Sequence, residues 1–319
     1  MTAESLRIHI DAYLELRRSL GFCTRSQAHN LRELLDYVVA QGFSWPIRTQ
    51  TILDWISAAS VRCGLPGQRM RLIHARCFLK NLKASAPDTE VPGPGLLPHQ
   101  PRPKPRLYSA EEIANLQQAT SQLWQHGSLW QLTPYSIIGL LASTGLRAGE
   151  VMALTVGDVR LDTDPPQLYV RKAKFCKSRV VPIHPSTAEQ LRTYLQERNR
   201  TKLHRPSTAF FITGMGRPLS YPTLRRMFVQ LIHSAGIKNP DGGRGPSLLH
   251  SFRHGFAIER LLMWYRDNLD VRALIPHQYV YLGHLSKKET YWYLTATPEL
   301  LTAAGEAFRC ACEPGGGHE

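Results

Sequence analysis

From the start of the chain to about residue 90, apolar residues recur at helical rather than alternating spacing. Leu6, Ile10, Tyr13, Leu14 and Leu20 make one stripe, and Leu31, Leu34, Leu35 and Val38 make a second that stops near Gly42. Ile52, Leu53, Trp55 and Ile56 fit a short third helix, and Leu72, Ile73, Cys77 and Leu82 mark a fourth from Gln68 to Lys83. Each stripe needs a partner face, so the pattern predicts a helical domain over residues 1–91. The periodicity then breaks. Pro92, Pro94, Pro98, Pro101, Pro103 and Pro105, with Gly93 and Gly95, remove backbone donors and hold their neighbours extended. Residues 92–106 therefore read as a stiff linker of the polyproline type.

Beyond the linker the pattern is mixed but mainly helical. Ser109 and Glu112 have capping-box spacing ahead of Ile113 and Leu116. Pro134 to Ser143 reads as an apolar helix closed by Gly145, with another from Arg147 to about Leu154. Two β-rich runs, Gln167–Arg171 and Arg179–Ile183, predict a small hairpin connected by residues 172–178. Helices return at Ser186–Glu197, at Tyr221–Ser234 with Gly236 as the stop, at His250–Met263, before His284, and at Pro298–Phe308. The expected fold class is mainly α: a helical N-terminal domain, then a mixed, mostly helical domain over 107–309 with a small β-hairpin or sheet. Residues 310–319, with Pro314 and three following glycines, read as a disordered tail.

Charge adds a partner to this picture. Lys and Arg number 39 against 25 Asp and Glu, a formal net charge of +14. Such an excess favours a polyanion, because Lys and Arg displace condensed counterions from nucleic acid. A membrane surface is the rival anion, but no apolar run is long enough to span a bilayer, and Met1–Leu20 does not read as an export signal. The cytoplasm is the expected location, where the six cysteines stay reduced. Cys310-Ala311-Cys312 lacks the spacer of a zinc knuckle, so no metal is expected. Arg69, Arg71, Arg76, Lys80 and Lys83 decorate the fourth helix, Arg102, Lys104 and Arg106 the linker, and Arg225 and Arg226 a later helix. Each is a candidate DNA contact, with a solvated helix face as the alternative.

The last third carries the chemistry. His250, Arg253 and His254 fall within one segment, Leu282-Gly283-His284 follows, and Tyr293 comes nine residues after His284. A second arginine lies in Thr144-Gly145-Leu146-Arg147-Ala148-Gly149-Glu150. A guanidinium fork matches phosphate oxygens two at a time, histidine donates or moves a proton near neutral pH, and a phenol can become a covalent nucleophile. No acidic cluster that could hold Mg²⁺ accompanies them, so metal-free transesterification of a phosphodiester is the implied chemistry. Bland readings stand beside it: Arg147 could simply pair with Glu150, His250 and His254 are four apart and could face a metal, with His254 otherwise structural support, His284 after a glycine could be a turn residue, and Tyr291 competes with Tyr293.

Taken together these residues resemble the tyrosine recombinases, also called the phage-integrase family. Thr144–Glu150 looks like the box of the first catalytic arginine, which gives Arg147 that role with Glu150 as its support. His250-x-x-Arg253-His254 resembles the second box, with His250 and Arg253 catalytic and His254 supporting. Leu282-Gly283-His284 resembles the third, and Tyr293 has the nucleophile's spacing. Lys177–Pro182 looks like the second half of the family's hairpin, which places the catalytic lysine at Lys174, with Lys172 and Lys177 as competitors; Lys177 is also a candidate DNA contact. The resemblance implies a core-binding, SAM-like N-terminal domain and a 3′-phosphotyrosyl intermediate. It also implies four protomers on two duplex DNA sites, linked by the C-terminal helix, exchanging strands through a Holliday junction without cofactor or ATP. Partner recombinases or DNA-bending proteins would be further partners, in a bacterial, nucleoid-associated setting. Around Trp264–Asn268 the chain looks longer than the compact family pattern. A DNA-binding regulator and a nuclease or topoisomerase are the alternatives.

Overall fold

A computed structural model of the chain describes residues 1–59, 63–99, 106–171, 178–201, 207–238, 248–283 and 298–312. The chain divides into two units, Met1–Arg102 and Pro103–Glu319. The first holds α1 (Ala3–Ser19), α2 (Arg25–Ala40), α3 (Thr49–Ala58) and α4 (Leu65–Leu82). Leu6, Ile10, Leu14, Leu31, Leu34, Ile52, Trp55 and Phe78 meet in a core of their own. The stripes of α1 to α3 are the buried faces expected, except that Leu20 caps the end of α1 and is exposed and Leu53 of α3 is only half-buried. On α4 the face is rotated: Arg71, Leu72, Ala75, Phe78, Leu79 and Leu82 point inward, whereas Ile73 and Cys77 are exposed.

That rotation corrects the reading of Arg71 as a DNA contact. Arg71 is buried, pairs with Glu33 of α2 and lies 4.8 Å over the Trp55 ring. A cation enters a core only with such a partner. The linker is corrected too. Arg76 Nε donates to the Pro92 carbonyl at 2.9 Å and its Nη2 to that of Gly93, and Arg69 Nη1 donates to the Pro98 carbonyl at 3.0 Å. Proline-rich backbone has carbonyls but no ladder to join, so the arginines of α4 take them. Pro92–Pro98 therefore folds back onto α4 with a turn at Gly95 (φ +78°), and the first unit reaches Arg102.

The second unit holds α5 (Ala110–Leu123), α6 (Leu129–Thr144), α7 (Ala148–Ala153), a 3₁₀ turn (Val156–Asp158), β1 (Val159–Arg160), β2 (Gln167–Val170), β3 (Arg179–Pro182), α8 (Pro185–Arg200), α9 (Tyr221–Ser234), α10 (Leu248–Arg266), α11 (Val271–Leu282) and α12 (Pro298–Cys312). The capping box forms: Ser109 Oγ accepts the Glu112 N–H at 3.0 Å, and the Glu112 carboxylate accepts the Ser109 N–H at 3.1 Å. α6 starts at Leu129 rather than at Pro134, which sits inside it; so early in a helix the missing N–H removes a single ladder bond. The hairpin is an antiparallel three-stranded sheet in the order β1-β2-β3, with Leu168 opposite Val181 and Val170 opposite Arg179. β1 escaped the sequence because two residues carry no alternation.

The segment that seemed surplus to the family pattern extends a helix. α10 runs on through Trp264 and Tyr265, and the chain turns at Asn268 (φ +52°). Trp264 and Tyr265 pack against a small cluster of α10, α11 and α12 that includes Leu261, Val271, Ile275 and Leu300. Leu300, in the first turn of α12, is fully buried there, while Leu301 is exposed. α12 reaches Cys312, so Cys310–Cys312 belong to a helix rather than to the tail expected from residue 310. Among the described residues no helix is long and apolar enough to cross a membrane.

Candidate active site

The site is built where α6 and α11 end. Both helices stop on a left-handed glycine, Gly145 and Gly283, each at φ +62°. The Thr144 hydroxyl donates to the Leu140 carbonyl at 2.5 Å and accepts the Leu146 N–H at 3.3 Å, which stiffens the first of these turns. Glycine is required by the backbone in both, and by space: a Cβ on Gly145 would stand 2.6 Å from Phe256, and one on Gly283 would stand 2.8 Å from Arg179 Nη1.

Helix C-termini leave carbonyls without intrahelical partners and carry partial negative charge. Here three consecutive carbonyls at the end of α11 each accept from a different arginine. Tyr281 takes Arg179 Nε at 2.8 Å, Leu282 takes Arg253 Nη2 at 2.6 Å, and Gly283 takes Arg147 Nη2 at 3.2 Å. Arg253 also donates to the Gly145 carbonyl at 2.9 Å and is 1% exposed, a cation held between two helix ends. Arg147 precedes α7 and is part-buried. The sequence motifs thus bring both predicted arginines onto adjacent peptide carbonyls.

Glu150 joins them. Its Oε1 accepts Arg147 Nη1 at 2.9 Å and Arg179 Nη1 at 3.1 Å; its Oε2 accepts the Arg147 backbone N–H at 3.0 Å and Arg179 Nη2 at 2.9 Å. Burial pushes this carboxyl up, but the hydrogen bonds and charges of Arg179 and Arg147 outweigh it and hold it below its ordinary value. Two guanidiniums share this one carboxylate while the third, Arg253, is held by peptide carbonyls, so the cluster stays cationic, which suits a phosphodiester. On α10, His254 is buried and His250 exposed, their rings edge to face at 4.6 Å.

Arg179 is the residue that sequence reasoning missed. Its signal was available: on β3 it lies in phase with the fully buried Val181, so a cation faces inward. Lys174, Lys177, His284, Tyr291, Tyr293, Arg102 and Lys104 lie outside the described residues. Lys80, Lys83, Arg225 and Arg226 are exposed. Among the described residues no group of His, Cys, Asp and Glu could hold a metal ion.

A helical domain that gathers cations onto one helix end offers a site for an anionic substrate. Residues 108–299 match the model of the phage integrase family, and the chain belongs to it: it is a tyrosine recombinase, an enzyme of site-specific DNA recombination. It is 35% identical over 305 residues, 94% of this chain and 96% of the relative, to a putative integrase/recombinase, y4rB, of Sinorhizobium fredii. Its fold is similar to that of the Tn1549 transposon integrase in complex with transposon right end DNA (TM-score 0.65, 17% identity, 95% of this chain and 99% of that one). It is also similar to a lambda integrase tetramer bound to a Holliday junction (TM-score 0.63, 16% identity, 90% and 76%).

Proposed function

We propose that this recombinase cuts and rejoins duplex DNA through Tyr293. The phenolic oxygen attacks the scissile phosphorus in line, the Tyr293 Oη–P bond forms, and the P–O5′ bond breaks. Lys174 gives the leaving 5′-oxygen its proton, and His250 accepts the proton of the phenol, whose ordinary pKa is about 10. Arg147 and Arg253 neutralise charge developing on the non-bridging oxygens, and His284 donates to the same phosphate. Attack by a 5′-hydroxyl from a second strand reverses the step, so the bond energy is kept and no ATP is required. The observation that carries this reading is the pair of arginines on the adjacent carbonyls of Leu282 and Gly283.

Four copies on two DNA sites exchange strands in pairs through a Holliday junction, as the lambda tetramer is seen to bind one. α12, with Leu301 exposed, is the element proposed to link neighbouring copies. Lys80, Lys83, Arg225 and Arg226 are the remaining phosphate contacts proposed among described residues, and the enzyme works on nucleoid DNA in a bacterial cytoplasm, with partner recombinases or DNA-bending proteins as further candidates. The test is covalent trapping on nicked duplexes tiling the DNA that borders its own gene. A denaturing gel should show a DNA adduct for wild type and Tyr291→Phe, and none for Tyr293→Phe. Binding without any adduct would favour a regulator, and an adduct surviving Tyr293→Phe would move the nucleophile elsewhere.

A further inference from the structure

We infer that Arg179 is a positioning residue for strand cleavage: by occupying Glu150 it keeps the Arg147 guanidinium directed at the phosphate, and it ties that cation to the base of the β2–β3 hairpin. The inference rests on the reading of Arg147 as a phosphate ligand.

The geometry turns on how one carboxylate is shared. Arginine and carboxylate prefer a two-toothed pairing through parallel N–H···O bonds. Arg179 has that pairing with Glu150, through Nη1 at 3.1 Å and Nη2 at 2.9 Å. Arg147 therefore meets the carboxylate with Nη1 alone, at 2.9 Å, and its Nη2 turns to the Gly283 carbonyl. Without Arg179, a buried Glu150 would have Arg147 as its remaining cation of this cluster. It would then draw the whole guanidinium fork onto itself, away from Gly283 and from any substrate oxygen.

Arg179 is fixed independently of Glu150. Its side chain is 11% exposed, its Nε holds the Tyr281 carbonyl, and its guanidinium fills the space a Cβ on Gly283 would need. It opens β3 opposite Val170, so it anchors one end of the connector that carries Lys174. One buried side chain thus joins the hairpin, the Glu150–Arg147 pair and the peptide just before His284.

Arg179→Gln, Arg179→Lys, Arg147→Gln and the double variant Arg147→Gln/Arg179→Gln separate this from a merely structural role. Three readouts are taken on each: single-turnover cleavage of the nicked duplexes, DNA affinity by mobility shift, and thermal melting. Arg179→Gln should cleave about 10²-fold more slowly, as misplacement of a reacting group commonly costs, while DNA affinity changes less than about threefold. Arg179→Lys keeps the charge without the fork and should fold fully yet still cleave about tenfold slower, so the inference stays testable if the glutamine variant melts early. On the Arg147→Gln background, Arg179→Gln should slow cleavage little further, because residues acting through one group are not additive. Full cleavage by folded Arg179→Lys and Arg179→Gln overturns the inference, as do losses that simply multiply in the double variant. Arg147→Gln cleaving at the wild-type rate would instead sink the assignment of Arg147, and the inference with it.

Discussion

At the scale of single residues the site is governed by how few acceptors serve many cations. Glu150 is the acceptor shared by two guanidiniums, and its carboxyl is depressed because their hydrogen bonds and charges outweigh its burial. A depressed carboxyl contributes stability that is present above its ordinary value of 4.5 and is lost as pH falls through the folded value. Glu150→Gln should therefore lower stability by about 3 kcal/mol at neutral pH, the scale for breaking a buried pair. The gap between the melting curves of variant and wild type should narrow as pH drops below 4.5; a gap that stays constant would count against the pairing. Glycine 283 offers a second measurement. Gly283→Ala meets both a left-handed backbone and Arg179, whereas Gly236→Ala at φ +64° has nothing within 4 Å. The first should cost more than the second, whose loss should be about 1–2 kcal/mol from backbone alone. Equal losses would show that Arg179 yields freely.

At the scale of elements the apolar stripes predicted most helices, and the caps set several boundaries. Ser109→Ala should cost about 1 kcal/mol by removing one arm of the capping box of α5, read as a shift in denaturant midpoint. The misreadings have a common cause. On α4, Ile73 and Cys77 fit a stripe as well as Phe78 and Leu79 do, and only packing against α1, α2 and α3 selects the second set. β1 is too short to alternate, and Pro134 looks like a boundary because a sequence does not show that the helix has already begun at Leu129. α12 was legible as an amphipathic helix, and the structure seats its Leu300 against α10 and α11. Deleting residues 298–319 should uncover that cluster and lower the melting temperature of the single chain, with Leu300→Ala alone giving about 2–5 kcal/mol of the loss.

At the scale of the whole molecule, each unit has its own core: the first unit's buried cluster lies wholly within Met1–Arg102. Residues 1–102 expressed alone should give a cooperative unfolding transition, and a fragment that melts without one would mean the core needs the rest of the chain. The charge of +14 belongs to this scale as well. DNA affinity should fall steeply and linearly in log–log terms with salt, about tenfold or more between 50 and 200 mM, since counterion release drives it. A flat salt dependence would remove the electrostatic case for the exposed lysines and arginines.

The sequence by itself determined the helical class, the break into two units, the basic charge and the set of residues whose motifs resemble the family's reactive ones, because period, proline and residue chemistry are local properties. Arg147, Glu150 and Arg253 were legible as members of a site for that reason. Tertiary structure decided what each cation does. Arg71 and Arg179 are both arginines in basic stretches, yet one is neutralised by Glu33 in a core and the other grips Glu150 beside the site. Arg69 and Arg76 bind the proline-rich segment instead of standing free. Which carbonyl or carboxylate a guanidinium reaches depends on where distant helix ends fall in space, and no local pattern along the chain carries that information.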